Sequence, residues 1–179
     1  MTLIIAKGES LAVPLEDLKA YLKISLDEED AALTDLLHVA RETTERFLGQ
    51  LIVARSVEEV LGARNAWAKL AIRPVRSIAA VVGIPPEDAE FALPVGDYAI
   101  DIDGGGTGWV RIANAGAATR VRVTYSAGLA SSSAEVPDAV QHAIVRLAGE
   151  LHAQREGLEA ELPASVAAML RPWRRMPLA

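Results

Sequence analysis

Two amphipathic helices are predicted for the first fifty residues. Leu15, Leu18 and Leu22 fall on one helical face at spacings of three and four. Pro14 suits the first helical position, where its missing N–H would have no partner, and acidic residues follow it at the positive end of the helix dipole. A second apolar stripe predicts a helix over residues 28–48, ended by a glycine C-cap. Two such helices cannot bury their stripes alone, so we expect a partner surface from elsewhere in the chain.

The pattern then changes to short runs rich in β-branched and aromatic residues, the clearest being the alternating Val-Arg-Val-Thr-Tyr at 121–125. Glycine and proline separate the runs. This spacing predicts a small antiparallel sheet or sandwich inserted between helical halves. The predicted strands cover residues 51–53, 57–61, 67–72, 78–82, 98–102, 109–112 and 121–125.

Helical periodicity returns after a run of serines at 131–133. Pro137 and Asp138 mark the start of a helix whose apolar face runs from Val140 to Leu151, and Gly157 is placed to close it. A shorter helix is predicted over Ala164–Leu170. The two prolines that follow predict an extended segment.

The predicted fold class is α+β, with a helical bundle from the N- and C-terminal segments and an inserted small antiparallel β-sheet or sandwich. Residues 1–49 would supply the N-terminal helices and residues 50–130 the β-rich insert. Residues 131–170 would supply the C-terminal helices, and residues 171–179 an extended tail.

Composition and net charge argue against several classes of function. Hydrophobic residues make up 51% of the 179-residue chain but aromatic residues only 4%, so the core must be mainly aliphatic. The net charge of −6 argues against a broad basic face that grips nucleic acid. The absence of cysteine excludes disulfides, thiolate metal sites and cysteine nucleophiles. No signal-peptide layout and no apolar run of membrane-spanning length occurs, so a soluble protein without a membrane partner is expected.

Candidate chemistry is weak along the whole chain. The glycine-rich stretch at 101–108 fails as a calcium loop, because Gly105 and Ile112 stand where acidic ligands are required, and a flexible hairpin explains it better. The three histidines, His38, His142 and His152, lack the spacing of a helical metal pair. No cofactor and no enzymatic activity are therefore predicted. The alternative, a small metal-dependent hydrolase, would require His142, His152 and nearby carboxylates in one pocket.

Two charged segments have both a structural and a functional interpretation. The C-terminal Arg171, Pro172, Trp173, Arg174 and Arg175 could be a docking peptide, since tryptophan and arginine often anchor interfaces, or Trp173 could fold back onto its own helices. The second segment is a run of four acidic residues, which the solvated first turn of a helix would explain. It consists of Asp27, Glu28, Glu29 and Asp30.

Motifs spread over most of the chain share their order and spacing with one known family. The strongest are Val-Arg-Val-Thr-Tyr-Ser-Ala-Gly at 121–128 and Val-Pro-Asp-Ala-Val at 136–140. The others lie at 13–22, 27–30, 40–49, 73–78, 97–98, 154–156 and 170–174, the last with Trp173 where the family more often has tyrosine. Through these motifs the chain resembles the head–tail connector, or adaptor, proteins of long-tailed phages and of phage-derived gene transfer agents.

The resemblance implies a cyclic homo-oligomer, usually a dodecamer, beneath the portal at the head–tail junction of a virion or gene transfer agent particle. Such a protein is made in the cytoplasm of the bacterial host. DNA would pass through the ring without specific binding, and a stopper or tail-terminator protein would dock next. Arg171 to Arg175 become candidate portal contacts, and Asp27 to Asp30 candidates for a ring or channel face. Another neck or tail-completion protein of the same particle is the alternative.

Overall fold

The computed structural model describes residues 2–8, 10–153 and 162–174. The chain forms two compact units, each assembled from separated segments. One unit combines Met1–Lys7 with Ala54–Leu129, and the other combines Gly8–Val53 with Ala130–Ala179. The mixed α+β class expected from the sequence is confirmed, since strands dominate the first unit and the α-helices lie in the second.

The β unit consists of two antiparallel sheets in the part of the chain that the structure describes. Its strands are β1 (Thr2–Ile5), β2 (Arg55–Gly62), β3 (Ala68–Lys69), β4 (Val75–Ile84), β5 (Phe91–Ala92), β6 (Tyr98–Ile102), β7 (Gly108–Ile112) and β8 (Arg120–Ala127). The five-stranded sheet has the order β1-β2-β8-β4-β5, and the three-stranded sheet has the order β3-β7-β6. β8 therefore lies at the centre of the larger sheet, with β2 and β4 paired to its two sides.

One strand prediction was wrong, and two observed strands, β1 and β5, were not predicted. Residues 51–53 form no strand beyond a single bridge between Val53 and Ala130. Conversely β1 lies in a segment that was assigned to the N-terminal helices, and it pairs with β2 from Thr2 opposite Val60 to Ile5 opposite Val57. Its sequence, Thr-Leu-Ile-Ile, has no period-two alternation, and all four residues are exposed. Only pairing with a distant strand defines this element, so local periodicity could not reveal it.

The helical unit contains α1 (Leu15–Leu22), α2 (Asp30–Leu48), α3 (Asp138–Ala153) and α4 (Ala164–Leu170). α3 contacts each of the other three helices, and thus supplies the partner surface expected for α1 and α2. Gly49 ends α2 in the left-handed conformation at φ 67°, as predicted. Pro14 precedes α1 as its N-cap and is not its first residue. The predicted stop at Gly157 lies outside the described residues.

The segment after α4 is not extended at its start. Arg171–Trp173 forms a 3₁₀ turn, and Arg171 keeps helical angles of φ −51° and ψ −42°. Pro172 is tolerated because the first turn of a helix does not need its missing N–H. Arg174 then turns to extended angles, and Arg175 lies outside the described residues.

A hydrogen-bonded pair of polar side chains lies in the interior of the β unit. Tyr125 on β8 and Glu59 on β2 are 1% and 0% exposed. The Tyr125 hydroxyl donates to Glu59 Oε2 at 2.9 Å and accepts the Ile72 N–H at 3.2 Å. Glu59 Oε2 also accepts the Ala71 N–H at 2.9 Å. The pair therefore fixes the loop after β3 to the central strands, and burial raises the pKa of the Tyr125 phenol.

Replacing Tyr125 by phenylalanine tests this pair. Tyr125→Phe keeps the ring but leaves the Ile72 N–H and one acceptor position of Glu59 without their partner, which should lower the free energy of unfolding by about 1–3 kcal/mol. Urea unfolding measures the change. Tyr21→Phe, at a side chain that is 48% exposed, is the matched control and should have little effect. Equal stabilities for the two variants would contradict a stabilising role for the pair.

Candidate functional site

The described part of the C-terminal segment rests on the end of α2. Gln50 Nε2 donates to the Trp173 carbonyl at 2.8 Å, and Gln50 itself is only 6% exposed. The Arg174 guanidinium lies over the Phe47 ring, 5.0 Å from its centre. These contacts give Arg171–Trp173 a defined position within the helical unit.

The residues of this segment differ in their exposure to solvent. Arg171, Pro172 and Arg174 are exposed, whereas Trp173 is half-buried. Trp173 is thus neither fully packed into its own helices nor free in solvent, and both interpretations of this tryptophan retain some support. The segment presents a cationic and aromatic surface that a partner protein could contact.

The acidic run before α2 is tied to a buried lysine. Lys19 on α1 is 5% exposed, and its Nζ lies 2.6 Å from Asp27 Oδ1 and 2.8 Å from Asp30 Oδ1. Hydrogen bonds to these carboxylates raise the pKa of Lys19. The hydrogen bond from Lys19 lowers the pKa of Asp27. Both carboxylates therefore hold the turn between α1 and α2, a role that the sequence reasoning did not anticipate.

The two other acidic residues of this run differ from that pair. Glu28 is exposed. Glu29 Oε2 lies 3.3 Å from Nε2 of His152, near the end of α3. Asp27 and Asp30 thus share Lys19, whereas Glu29 faces His152. That these residues form a ring or channel face stays a hypothesis.

The histidines do not gather into one site. His142 lines an open groove of about 450 Å³ in the helical unit, together with Asp17, Tyr21 and Asp138. His152 instead faces Glu29. Among residues 2–8, 10–153 and 162–174, no group of three acidic or histidine side chains is placed to hold a metal ion. The clustering that the hydrolase alternative requires is therefore not observed there.

The glycine-rich stretch is a hairpin, as predicted. β6 and β7 pair from Tyr98 opposite Ile112 to Ile102 opposite Gly108. In the connecting turn, Asp103 Oδ1 accepts the N–H groups of Gly105 and Thr107 at 2.8 and 2.9 Å. These backbone bonds, with one from the Trp109 indole, lower the pKa of Asp103. Asp103 thus has a structural role in closing the hairpin.

An aromatic groove of about 290 Å³ on the three-stranded sheet was not singled out from the sequence. Trp67, Asp101 and Trp109 line it, and the Arg111 guanidinium lies 5.3 Å from the centre of the Trp67 ring. The alternation of buried Val110 and Ile112 with Trp109 and Arg111 could have indicated it, because period two places the last two on one face.

No helix in the described ranges has the length and apolar character that a membrane span needs.

Comparison with known proteins identifies the fold. No protein-family model and no curated protein matches the sequence. Solved structures do match over 100% of this chain and 98% of theirs. They are the neck of an empty gene transfer agent (GTA) particle computed with C6 symmetry (TM-score 0.80, 21% identity), the virion of a native GTA particle (0.78, 21%) and the neck of a native GTA particle computed with C12 symmetry (0.73, 22%). The resemblance inferred from the sequence motifs is thus confirmed at the level of the fold.

The Lys19 cluster predicts a specific dependence of stability on pH. The lowered pKa of Asp27 means that its contribution is fully present above its unfolded pKa of about 4 and is lost as pH falls through the folded value. Asp27→Asn should therefore be less stable than the parent at pH 7, and the difference should shrink at pH 3. Chemical unfolding at both pH values measures this, with Glu28→Gln as the exposed control. A difference that is the same at both pH values would contradict the assignment.

Proposed function

We propose that this chain is a structural neck protein of a tailed phage or gene transfer agent, acting as the head–tail connector that forms a ring beneath the portal. The observation that carries this proposal is the fold match over the full chain to components of GTA necks and virions. The sequence motifs at 121–128 and 136–140 support the same family independently of the coordinates.

The symmetry of the matching neck structures supports the ring. Two of them were computed with C6 and C12 symmetry, and a repeated subunit in such an assembly is arranged around an axis. In the proposed ring the helices of both termini form a bundle that builds the body, and twelve is the copy number implied by the family resemblance. The β-rich insert then faces neighbouring copies or the next neck component.

The charge of the chain suits a DNA channel. An acidic subunit repels the phosphate backbone, so DNA can pass a wall of such subunits without being retained. Exposed Glu28 and the adjoining Asp27, Glu29 and Asp30 are our candidates for a ring or channel face. Asp27 and Asp30 share Lys19, so part of their charge is already compensated.

The C-terminal segment is the proposed portal contact. It combines cationic and aromatic side chains with a proline, in Arg171, Pro172, Trp173, Arg174 and Arg175. Of these, Arg171, Pro172 and Arg174 are exposed. The hydrogen bond from Gln50 to the Trp173 carbonyl orders part of the segment before binding, which lowers the entropic cost of docking.

A second role within the same particle fits the same observation, because the matching structures include necks and a virion as wholes. The chain could instead be another neck or tail-completion protein that binds the tail side. Pull-down of the purified chain with portal and with tail-tube proteins distinguishes these roles, since a connector beneath the portal must retain the portal.

The proposed ring makes a prediction about mass in solution. Mixed with the portal of its own particle, the full chain should sediment as a complex containing many copies, in a ratio fixed by ring symmetry. Analytical ultracentrifugation with a labelled chain measures that ratio. A single copy per portal, or no association across the concentration range, would overturn the connector assignment.

The proposed portal contact makes a second prediction. Arg171→Glu reverses an exposed charge in the docking segment and should weaken portal binding by about tenfold or more, equivalent to at least about 1.4 kcal/mol. Arg64→Glu, at an exposed arginine of the β unit, is the matched control and should bind normally. Thermal unfolding establishes that both variants fold. Normal portal binding by Arg171→Glu, and by a chain lacking residues 171–179, would exclude the docking role.

A further inference from the structure

The first strand of the chain lies at an open edge of the larger sheet. β1 pairs with β2, and no described strand lies on its other side, so one row of its backbone N–H and C=O groups points away from the sheet. All four of its residues are exposed. Leu3, Ile4 and Ile5 are 38%, 58% and 37% exposed, so neither face of the strand is covered.

The smaller sheet has an equally open edge at β6. β6 pairs with β7, and the described residues place no strand on its outer side. Ile100 and Ile102 are 45% and 38% exposed. Ten large apolar side chains are exposed in the described residues, and five of them lie on β1 and β6. Exposed apolar surface is therefore concentrated at these two edges of the β unit.

Open apolar edges of this length are unusual in a protein that remains monomeric. Edge strands are normally kept short or charged, because their unpaired backbone groups can pair with another chain. The opposite edges of the two sheets, β5 and β3, follow that rule with two residues each. β1 contains no charged residue and no proline, and β6 contains only Asp101. These two strands thus have the properties of interfaces.

We propose that β1 of one copy pairs with β6 of the next copy, an inference that rests on the ring proposed above. Each copy carries one of each edge, so the contact joins two different surfaces and repeats head-to-tail. A head-to-tail contact forms a closed ring when its rotation fits, whereas β1 pairing with β1 would stop at a dimer and leave both β6 edges uncovered.

One antiparallel register places β-branched residues of the two strands opposite one another. With Ile4 opposite Ile100, Thr2 lies opposite Ile102 and Leu3 opposite Asp101. Lys7, just after β1, then falls at the same end of the pairing as Asp97, in the 3₁₀ turn before β6. Directly opposed β-branched residues and opposite charges both stabilise paired strands. The same pairing covers Ile4, the most exposed large apolar side chain of β1, with Ile100, the most exposed large apolar side chain of β6.

Disulfide trapping tests this pairing cleanly, because the natural chain contains no cysteine. Directly opposed residues on antiparallel strands have Cα atoms about 4.5–5.5 Å apart, within the range of a disulfide. The Ile4→Cys/Ile100→Cys double variant, oxidised with its own portal present, should give a ladder of covalent multimers on a denaturing gel. An equal mixture of the two single variants should give dimers and nothing larger, and each single variant alone should remain monomeric. Ile4→Cys/Val39→Cys is the control, with its second cysteine on α2, and should give no ladder.

The outcomes separate this inference from the proposed ring. A double variant that reaches the assembled mass of the natural chain but forms no ladder would overturn the β1–β6 pairing and leave the ring intact. Covalent dimers of Ile4→Cys alone would show β1–β1 pairing and also overturn it. A natural chain that stays monomeric beside the portal would instead refute the ring itself.

A second pair of variants decides the matter if the cysteine variants assemble poorly. Ile4→Lys places a charge in the proposed interface and should reduce the assembled fraction by about tenfold or more. Val39→Lys, at a residue that is 49% exposed on α2, should assemble like the natural chain. Normal assembly of Ile4→Lys would contradict the pairing.

Discussion

The pairing of β8 on both of its sides is the constraint on which the β unit depends. β8 is hydrogen-bonded to β2 from Arg55 opposite Ala127 to Gly62 opposite Arg120, and to β4 over nearly the same length. Residues that are far apart in sequence are thereby fixed beside one another, and Tyr125 extends the constraint to the loop after β3. The chain returns to the helical unit directly after this strand, where Ala130 pairs with Val53. β8 therefore closes the inserted unit.

A fully paired centre and open edges distinguish the strands of the β unit, and the open edges are where we propose that copies of the chain meet. The backbone groups of β8 are paired within the chain, whereas β1 and β6 leave theirs available at the sheet edges. In the helical unit, α3 fills the corresponding central position through its contacts with α1, α2 and α4. A ring subunit of the kind we propose would contact other proteins in a symmetric arrangement.

The sequence predicted those elements whose pattern is local. The three- and four-residue spacing of α1, the Gly49 cap of α2 and the alternation of β8 each follow from residues that are near in sequence. β1 was missed because pairing with β2, more than fifty residues later, defines it. The role of Lys19 was missed for a related reason, since only the turn between α1 and α2 brings it to Asp27 and Asp30. The sequence motifs led us to propose a junction protein. The open edges at β1 and β6, through which we propose that copies pair, could be located only once the strand order was known.

The most direct test of the central claim is an electron cryo-microscopy reconstruction of assembled particles in which this chain carries a small added domain. We expect extra density repeated around the particle axis at the head–tail junction, adjacent to the portal, with the fold of this chain fitting each repeat. Density at the tail tip, on the capsid surface or in a single copy would contradict the claim that this protein forms the connecting ring.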